Sequence, residues 1–160
     1  MAKRLGVLDF ETDPFLYGRI PEPFACGIYL GMGDYTVIWD NNNVIARTVQ
    51  LLQRMPESLL YAHNGGKFDF SYLVDYSDKR KIVVRNGRIF EMYIGQVTLR
   101  DSWPLMPFAL DEYRKTPIDY RIFEKDLRNR PANKLQIQAY LYDDCKNLND
   151  LLLGFKEIVG

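Results

Sequence analysis

The chain has 160 residues, and its 21 basic and 21 acidic side chains cancel to a formal charge of zero at pH 7. This length suits one domain with its own hydrophobic core, so we expect a single domain over residues 1–160. Zero net charge argues against a protein that grips nucleic acid over its whole surface, because such binding depends on neutralising many phosphates. Two cysteines and one histidine indicate neither a disulfide framework nor a zinc site, and no apolar run predicts a membrane segment or a signal peptide.

The first half of the chain predicts alternating strands and helices. Residues 5–10 are apolar on both faces until the chain reaches Asp9, which is typical of a central strand whose end carries charge. Residues 25–30 and 35–39 are strand-like runs that flank a Gly-Met-Gly-Asp turn, so they predict a pair of antiparallel neighbours. They are followed by a predicted helix over 44–55, a short strand over 58–62, a glycine-rich turn and a second helix over 67–74.

The second half predicts a hairpin and a long closing helix. An Asn-Gly pair between the strand-like residues 82–84 and 88–93 is a strong hairpin signal, and residues 96–99 predict one more strand. Residues 116–131 are polar and carry no clear pattern. From 134 to 158 the apolar residues recur at intervals of three and four, which predicts an amphipathic helix. The sequence therefore predicts an α/β fold with a mixed β-sheet flanked by α-helices.

Acidic residues recur at the ends and edges of these predicted elements. Asp9 and Glu11 leave the first strand two positions apart, so both side chains point to the same side. Asp69 follows the glycine-rich turn, and a helical wheel places Asp144 at the edge of the apolar stripe while Asp143 points away from it. Taken singly, each acid also fits a solvated strand end or a helix cap. Together they favour a site for a hard divalent cation, which binds carboxylate oxygens and offsets their charge.

Three segments of the chain resemble the motifs of a known family. Residues 9–12 (DFET), residues 64–69 and residues 140–144, which read Y-x-x-x-D, resemble the motifs of the DEDD 3′–5′ exonucleases with an RNase H-like fold. Within that group the chain is most similar to the proofreading domain of family B DNA polymerases, and the match spans almost the whole sequence. Residues 101–108 and 115–120 look like further motifs of the protein-primed branch from phages and linear plasmids.

The resemblance implies a metal-dependent 3′–5′ exonuclease that hydrolyses single-stranded DNA ends to nucleoside monophosphates during proofreading. It implies that Tyr140 orients the attacking water, since a phenol with a reference pKa near 10 is a poor base. Lys115 would lie near the scissile phosphate, although a surface lysine on a loop is the other interpretation. Two Mg²⁺ or Mn²⁺ ions would be held by four carboxylates, those of Asp9, Glu11, Asp69 and Asp144.

The resemblance also implies a set of residues that bind the single strand. Several are aromatic, which suits sequence-tolerant stacking on bases, although core packing is the other interpretation of Phe68 and Tyr72. The implied DNA-binding residues are Thr12, Tyr61, His63, Asn64, Phe68, Tyr72, Ser102, Leu105 and Tyr120.

Other functions are also compatible with parts of the sequence. An exoribonuclease of the same fold is an alternative, because nothing in the sequence identifies a residue that would distinguish RNA from DNA by contacting the 2′-hydroxyl. A non-catalytic nucleic-acid-binding module is another alternative. An aspartate-nucleophile phosphatase is disfavoured, since it needs D-x-D where this chain has Asp9 and Glu11.

The resemblance carries expectations about partners and setting as well. We expect a monomer that acts on a DNA 3′ end, with a DNA polymerase module in the same chain or in a separate one. The chain is then either the exonuclease domain of such a polymerase or an exonuclease encoded alone. The expected location is the cytoplasm of a phage-infected bacterium, or the mitochondrial matrix if the gene is plasmid-borne, with no membrane contact.

Overall fold

The computed structural model describes residues 3–15, 21–40, 42–108 and 116–159. Seven strands form one sheet in the order β3-β2-β1-β4-β7-β6-β5. The strands are β1 (Arg4–Thr12), β2 (Pro23–Tyr29), β3 (Tyr35–Trp39), β4 (Ser58–Ala62), β5 (Val83–Arg85), β6 (Arg88–Ile94) and β7 (Val97–Asp101). The α-helices are α1 (Val44–Arg54) and α2 (Pro131–Val159), and short 3-10 helices cover Asp69–Tyr72, Val74–Tyr76, Lys79–Lys81 and Tyr120–Phe123. None of the described helices combines the length and the apolar composition that crossing a bilayer requires.

The sheet mixes parallel and antiparallel pairing around β1. This strand pairs antiparallel with β2 and parallel with β4, and β4 pairs parallel with β7. The register sets Asp9 opposite Gly27 on β2. Because side chains alternate along a strand, Val7 and Asp9 share one face of the sheet while Leu8 lies on the other.

One α-helix covers each face of the sheet. Helix α1 buries Val44, Val49 and Leu52 against an apolar core that also contains Leu8 of β1. On the opposite face, α2 packs against β1 and β2 and buries a stripe of residues between Ile137 and Leu152. Its buried residues include Ile137, Tyr140, Leu141, Asp144, Cys145, Leu148 and Leu152. The predicted α/β sheet flanked by helices is confirmed, and the face under α2 is the one that carries Asp9.

The predicted helix over residues 67–74 is wrong, because this segment forms two short 3-10 helices instead. The N–H of Phe70 donates to the carbonyl of Gly65 at 2.8 Å, a bond that spans five residues rather than the four of an α-helix. The N–H of Ile89 on β6 also donates to the carbonyl of Gly66 at 3.3 Å. These hydrogen bonds hold the turn against the sheet, and their pattern differs from that of a regular α-helix.

Candidate active site

Three acidic side chains meet between the end of β1 and helix α2. One carboxylate oxygen from each of Asp9, Glu11 and Asp144 lies within 4.8 Å of the others. Strand alternation brings Asp9 and Glu11 to the α2 face, and Asp144 reaches them because it lies on the buried stripe of α2. Its neighbour Asp143 points elsewhere and accepts a hydrogen bond from the Thr116 hydroxyl at 2.8 Å. We call Asp9, Glu11 and Asp144 the acid group.

The acid group fits a hard divalent cation. Glu11 and Asp144 are only 9% and 5% exposed, so their charges are largely removed from water. Burying several carboxylates together is unfavourable unless their charge is offset. Carboxylate oxygens are the ligands that Mg²⁺ and Mn²⁺ prefer, and the acid group presents three of them at one point.

Asp69 lies beside the acid group but is not one of its members. It begins the first 3-10 helix after β4, and its carboxylate accepts a hydrogen bond from the backbone N–H of Phe10 at 3.0 Å. Phe10 separates Asp9 from Glu11 in β1, so this bond ties Asp69 to the strand that carries them. Burial raises the pKa of Asp69 to about 6, even though the hydrogen bond from Phe10 favours the charged form.

Tyr140 approaches the acid group from α2 with its ring buried. Its hydroxyl shares a hydrogen bond of 2.8 Å with the hydroxyl of Tyr120, which is 47% exposed. Burial raises the pKa of the Tyr140 phenol well above its usual value, and the hydrogen bond to Tyr120 and the charge of Asp144 raise it further. The phenol is therefore a hydrogen-bond donor at neutral pH rather than a base.

The turn after β4 is fixed by polar contacts to the segment that follows β7. One ring nitrogen of His63 lies 2.9 Å from the Ser102 hydroxyl and the other lies 2.7 Å from the carbonyl of Phe108. Asn64 has a φ of +58°, a left-handed conformation that asparagine tolerates better than most residues. Its buried side-chain oxygen has no hydrogen-bond partner among the described residues. The His63 contacts thus tie the turn to the segment that follows β7.

A groove runs alongside Asp69. Thr12, Phe68 and Tyr72 line it together with Asp69, and its volume is about 380 Å³. Phe68 is 58% exposed, so its ring is available for stacking. Tyr72 also has a packing role, because its hydroxyl donates to the carbonyl of Pro21 at 2.6 Å.

Other residues implied by the resemblance lie elsewhere. Tyr61 and Leu105 line a second pocket of about 440 Å³, whose described lining contains none of the four acids. That pocket also contains Leu152, eight residues beyond Asp144 and about 12 Å further along α2. The structure thus does not bring Tyr61 and Leu105 into one pocket with the acids. Lys115 lies outside the described residues.

Two ion pairs that involve buried acids are not predicted from the sequence. Arg128 donates to Asp13, two residues past Glu11, at 3.1 Å, and both side chains are at least nine-tenths buried. Arg88 approaches Asp101, which is fully buried next to Ser102, at 3.4 Å. The only sequence signal for Asp13 is an acid directly after the first motif, and nothing in the sequence identifies Arg128 as its partner.

Comparison with known proteins relates the chain to DNA polymerases. It is 39% identical over 156 residues to the DNA-directed DNA polymerase of Enterobacteria phage PRD1, covering 95% of this chain and 27% of that polymerase. The fold matches phi29 DNA polymerase complexed with primer-template DNA with a TM-score of 0.71 at 17% identity, over 99% of this chain and 32% of that one. A family B DNA polymerase from the archaeon Pyrobaculum calidifontis matches with a TM-score of 0.66 at 17% identity, over 96% of this chain and 25% of that one.

These similarities confirm the resemblance to DNA polymerases of phages and of family B, and the mixed sheet flanked by helices matches the fold of part of phi29 DNA polymerase. No protein-family profile matches the chain. The chain spans about a quarter of the length of its phage PRD1 relative, at 27%.

Proposed function

Because the chain is related to the family B DNA polymerases of phages, we propose that it is a metal-dependent 3′–5′ exonuclease that proofreads DNA synthesis. Its substrate is the unpaired 3′ end of a DNA strand, and its products are nucleoside monophosphates. The acid group carries the proposal: three carboxylates, two of them buried, come from residues that match the family's first and third motifs and lie within 4.8 Å of one another.

The acid group is the proposed site for Mg²⁺ or Mn²⁺, with Asp69 as a fourth ligand and two ions in all. When bound, the ions would activate a water molecule and stabilise charge on the phosphate oxygens. Asp69 is bonded to the backbone between Asp9 and Glu11. This bond keeps Asp69 beside the strand that carries Asp9 and Glu11.

Tyr140 and Tyr120 are the proposed guides for the attacking water. Burial keeps the Tyr140 phenol protonated, so it donates a hydrogen bond and removes no proton. Tyr120, which shares that hydrogen bond, is half exposed and connects the buried phenol to solvent. Lys115 is proposed, from the resemblance alone, to offset negative charge on the phosphate.

The groove beside Asp69 is the proposed path of the DNA end. The exposed ring of Phe68 offers a stacking surface, and stacking of a base on an aromatic ring is worth about 1–3 kcal/mol. Asn64 has a buried side-chain oxygen without a described partner, and it can accept a hydrogen bond from a base or a sugar. Ser102 and His63 hold the turn that carries Asn64. Tyr61 and Leu105 stay predictions as DNA contacts.

The setting of this activity is also a proposal. The solved relatives include phi29 DNA polymerase bound to single-stranded DNA, with a TM-score of 0.70 at 17% identity. We infer that the exonuclease acts beside a polymerase module, in the same chain or in another, in the cytoplasm of a phage-infected cell.

The test is digestion of a 5′-labelled single strand in the presence of Mg²⁺. Wild-type protein should give a ladder of shortened products, and Asp144→Ala or Asp9→Ala should slow the reaction roughly 10³-fold, because loss of a metal ligand removes several kcal/mol of transition-state stabilisation. Asp143→Ala is the matched control, since Asp143 is the adjacent acid and points away from the acid group. It should retain activity.

Equal digestion by the wild type and the Asp144→Ala variant would contradict the proposed site. A matched RNA strand tests the substrate in the same assay. Faster digestion of RNA than of DNA would replace the proofreading exonuclease with an exoribonuclease.

A further inference from the structure

A second buried tyrosine hydroxyl lies near the acid group, and no role has been assigned to it. Tyr35 is the first residue of β3, and its ring packs edge-on against Tyr142 of α2, with ring centres 5.1 Å apart. The Tyr35 hydroxyl oxygen is buried and has no hydrogen-bond partner among the described residues. Buried hydroxyls in native proteins nearly always have a partner, so this one calls for an explanation.

The hydroxyl occupies space that a glycine leaves open. Tyr35 pairs with Tyr29 on β2, and Gly27 lies two residues further along β2 on the same face. A Cβ atom on Gly27 would lie 3.1 Å from the Tyr35 oxygen and 3.1 Å from the sulfur of Cys145. The phenol therefore reaches along β2 and ends between the sheet and α2.

This position lies beside the acid group. Gly27 is the register partner of Asp9, and Cys145 directly follows Asp144 on α2. Burial raises the pKa of the Tyr35 phenol, and nearby titratable groups raise it further, Asp9 and Glu11 among them. The phenol thus keeps its proton and is close enough to the carboxylates to be affected by their charge.

We propose that Tyr35 is a positioning residue of the metal site: its hydroxyl, which has no partner among the described residues, donates to a carboxylate of the acid group when a cation is bound and holds that carboxylate in the binding arrangement. The inference rests on the proposed function. Carboxylates that bind metals are themselves hydrogen-bonded, and loss of such a partner typically weakens metal binding 10- to 100-fold. The hydroxyl of Tyr140 is engaged by Tyr120, whereas that of Tyr35 is available for this role. Gly27 is required for this position of Tyr35, because a larger residue would displace the phenol.

Tyr35→Phe removes the hydroxyl alone, and Tyr142→Phe is its matched control, because it removes the same atom from the ring that Tyr35 contacts. Binding of Mn²⁺ to the DNA-free protein is measured by calorimetry. Thermal unfolding is followed in EDTA. Tyr35→Phe should weaken Mn²⁺ binding about tenfold, and Tyr142→Phe should leave it unchanged. In EDTA, Tyr35→Phe should unfold at the wild-type temperature or above it, since it removes a buried polar atom that lacks a partner.

Three results would overturn the inference. Unchanged Mn²⁺ affinity in Tyr35→Phe, in a wild type that binds Mn²⁺ and digests DNA, removes Tyr35 from the site and leaves the proposed function standing. A fall in unfolding temperature in EDTA shows that the hydroxyl stabilises the fold itself. A wild type that does not bind Mn²⁺ removes the metal site, and with it both this inference and the proposed function.

Discussion

The two faces of the β-sheet carry different kinds of core. Under α1 the core is mostly apolar and includes Leu8 and Leu60, and the buried Asp101, paired with Arg88, lies on the same side of β7 as the core residues Val97 and Leu99. Under α2 the core is also apolar near Leu141, but it borders the acid group and the buried Asp13–Arg128 pair. The same strand, β1, supplies both faces by simple alternation. The α1 face is therefore stabilised mainly by apolar packing, and the α2 face accommodates a cluster of carboxylates whose burial is unfavourable.

The face of the sheet under α2, which we call the charged face, depends more on specific hydrogen-bonded ion pairs than on the amount of apolar surface that it buries. Asp13 is held by Arg128, and Arg128 also donates to the carbonyl of Phe123 at 3.0 Å. The ring of Phe123 packs against that of Tyr140 with centres 6.0 Å apart. A single buried ion pair thus joins the end of the first motif to the segment that supports Tyr140. Loss of one partner should damage this face more than loss of apolar volume damages the other.

The largest effect on stability is expected from Arg128→Met. The substitution leaves Asp13 buried without its cation, which should lower the free energy of unfolding by about 3–5 kcal/mol in urea titrations. Its control is the double variant Arg128→Met with Asp13→Asn, which removes both charges and should recover much of that loss. If the single and the double variant are equally unstable, the charge of Asp13 is not what makes this face sensitive.

A matched pair of leucines compares the two faces directly. Leu52 under α1 and Leu141 under α2 are both fully buried, so each Leu→Ala substitution should lower the free energy of unfolding by about 2–5 kcal/mol. Leu141 also lies against Gly27, 3.0 Å from where its Cβ would be, and borders the acid group. Leu141→Ala should therefore weaken Mn²⁺ binding as well, whereas Leu52→Ala should leave it unchanged in the folded fraction. Weaker Mn²⁺ binding by Leu52→Ala would show that the faces are not functionally separate.

The sequence predicts the parts of both faces that depend on local periodicity. Strand alternation places Asp9 and Glu11 on one side, and helical spacing separates Asp144 from Asp143; the structure has both arrangements. Contacts between distant segments leave no such pattern. Asp13 and Arg128 are 115 positions apart, and no periodicity connects them.

In the segment over 67–74 the local pattern predicts the wrong structure, because contacts with a distant strand override it. Its residues favour a helix, but the bond from Ile89 to Gly66 ties the preceding turn to β6. A Cβ on Gly66 would clash with the carbonyl oxygen of Ile89, so this close approach requires glycine. The sequence predicts both the glycine-rich turn and the strand over 88–93, but not the close approach of one to the other.

An intermediate effect, on rate rather than on stability, is expected from Tyr140→Phe. Loss of the hydroxyl should lower kcat roughly 10- to 100-fold, equivalent to about 1.4–2.7 kcal/mol, with little change in DNA affinity. Tyr120→Phe should slow turnover in the same direction, because it removes the partner of the same hydrogen bond. Single-turnover digestion and DNA-binding titrations separate the two quantities. An unchanged kcat in Tyr140→Phe would remove the phenol from the reaction.

The smallest effect is expected from the ion pair between Glu91 of β6 and Arg100 of β7. This pair lies on the charged face, outside the area that α2 covers. Glu91 accepts hydrogen bonds from Arg100 and from the Tyr93 hydroxyl, and it is 13% exposed. Burial alone would raise the pKa of Glu91, but these hydrogen bonds outweigh it and lower the pKa below its usual value. Glu91→Gln should therefore lower the free energy of unfolding by about 1 kcal/mol at neutral pH.

The pH dependence of that difference distinguishes charge from packing. A carboxyl group whose pKa is lower in the folded state stabilises the protein above its unfolded pKa, about 4.3, and loses that contribution as the pH falls through the folded value. Urea titrations of the wild type and Glu91→Gln should thus differ by a constant amount from about pH 7 to about pH 5 and converge in stronger acid. A difference that persists in strong acid would assign the effect to packing of the Glu91 side chain. Buried charge would then matter on this face only beneath α2, where Asp13 and the acid group lie.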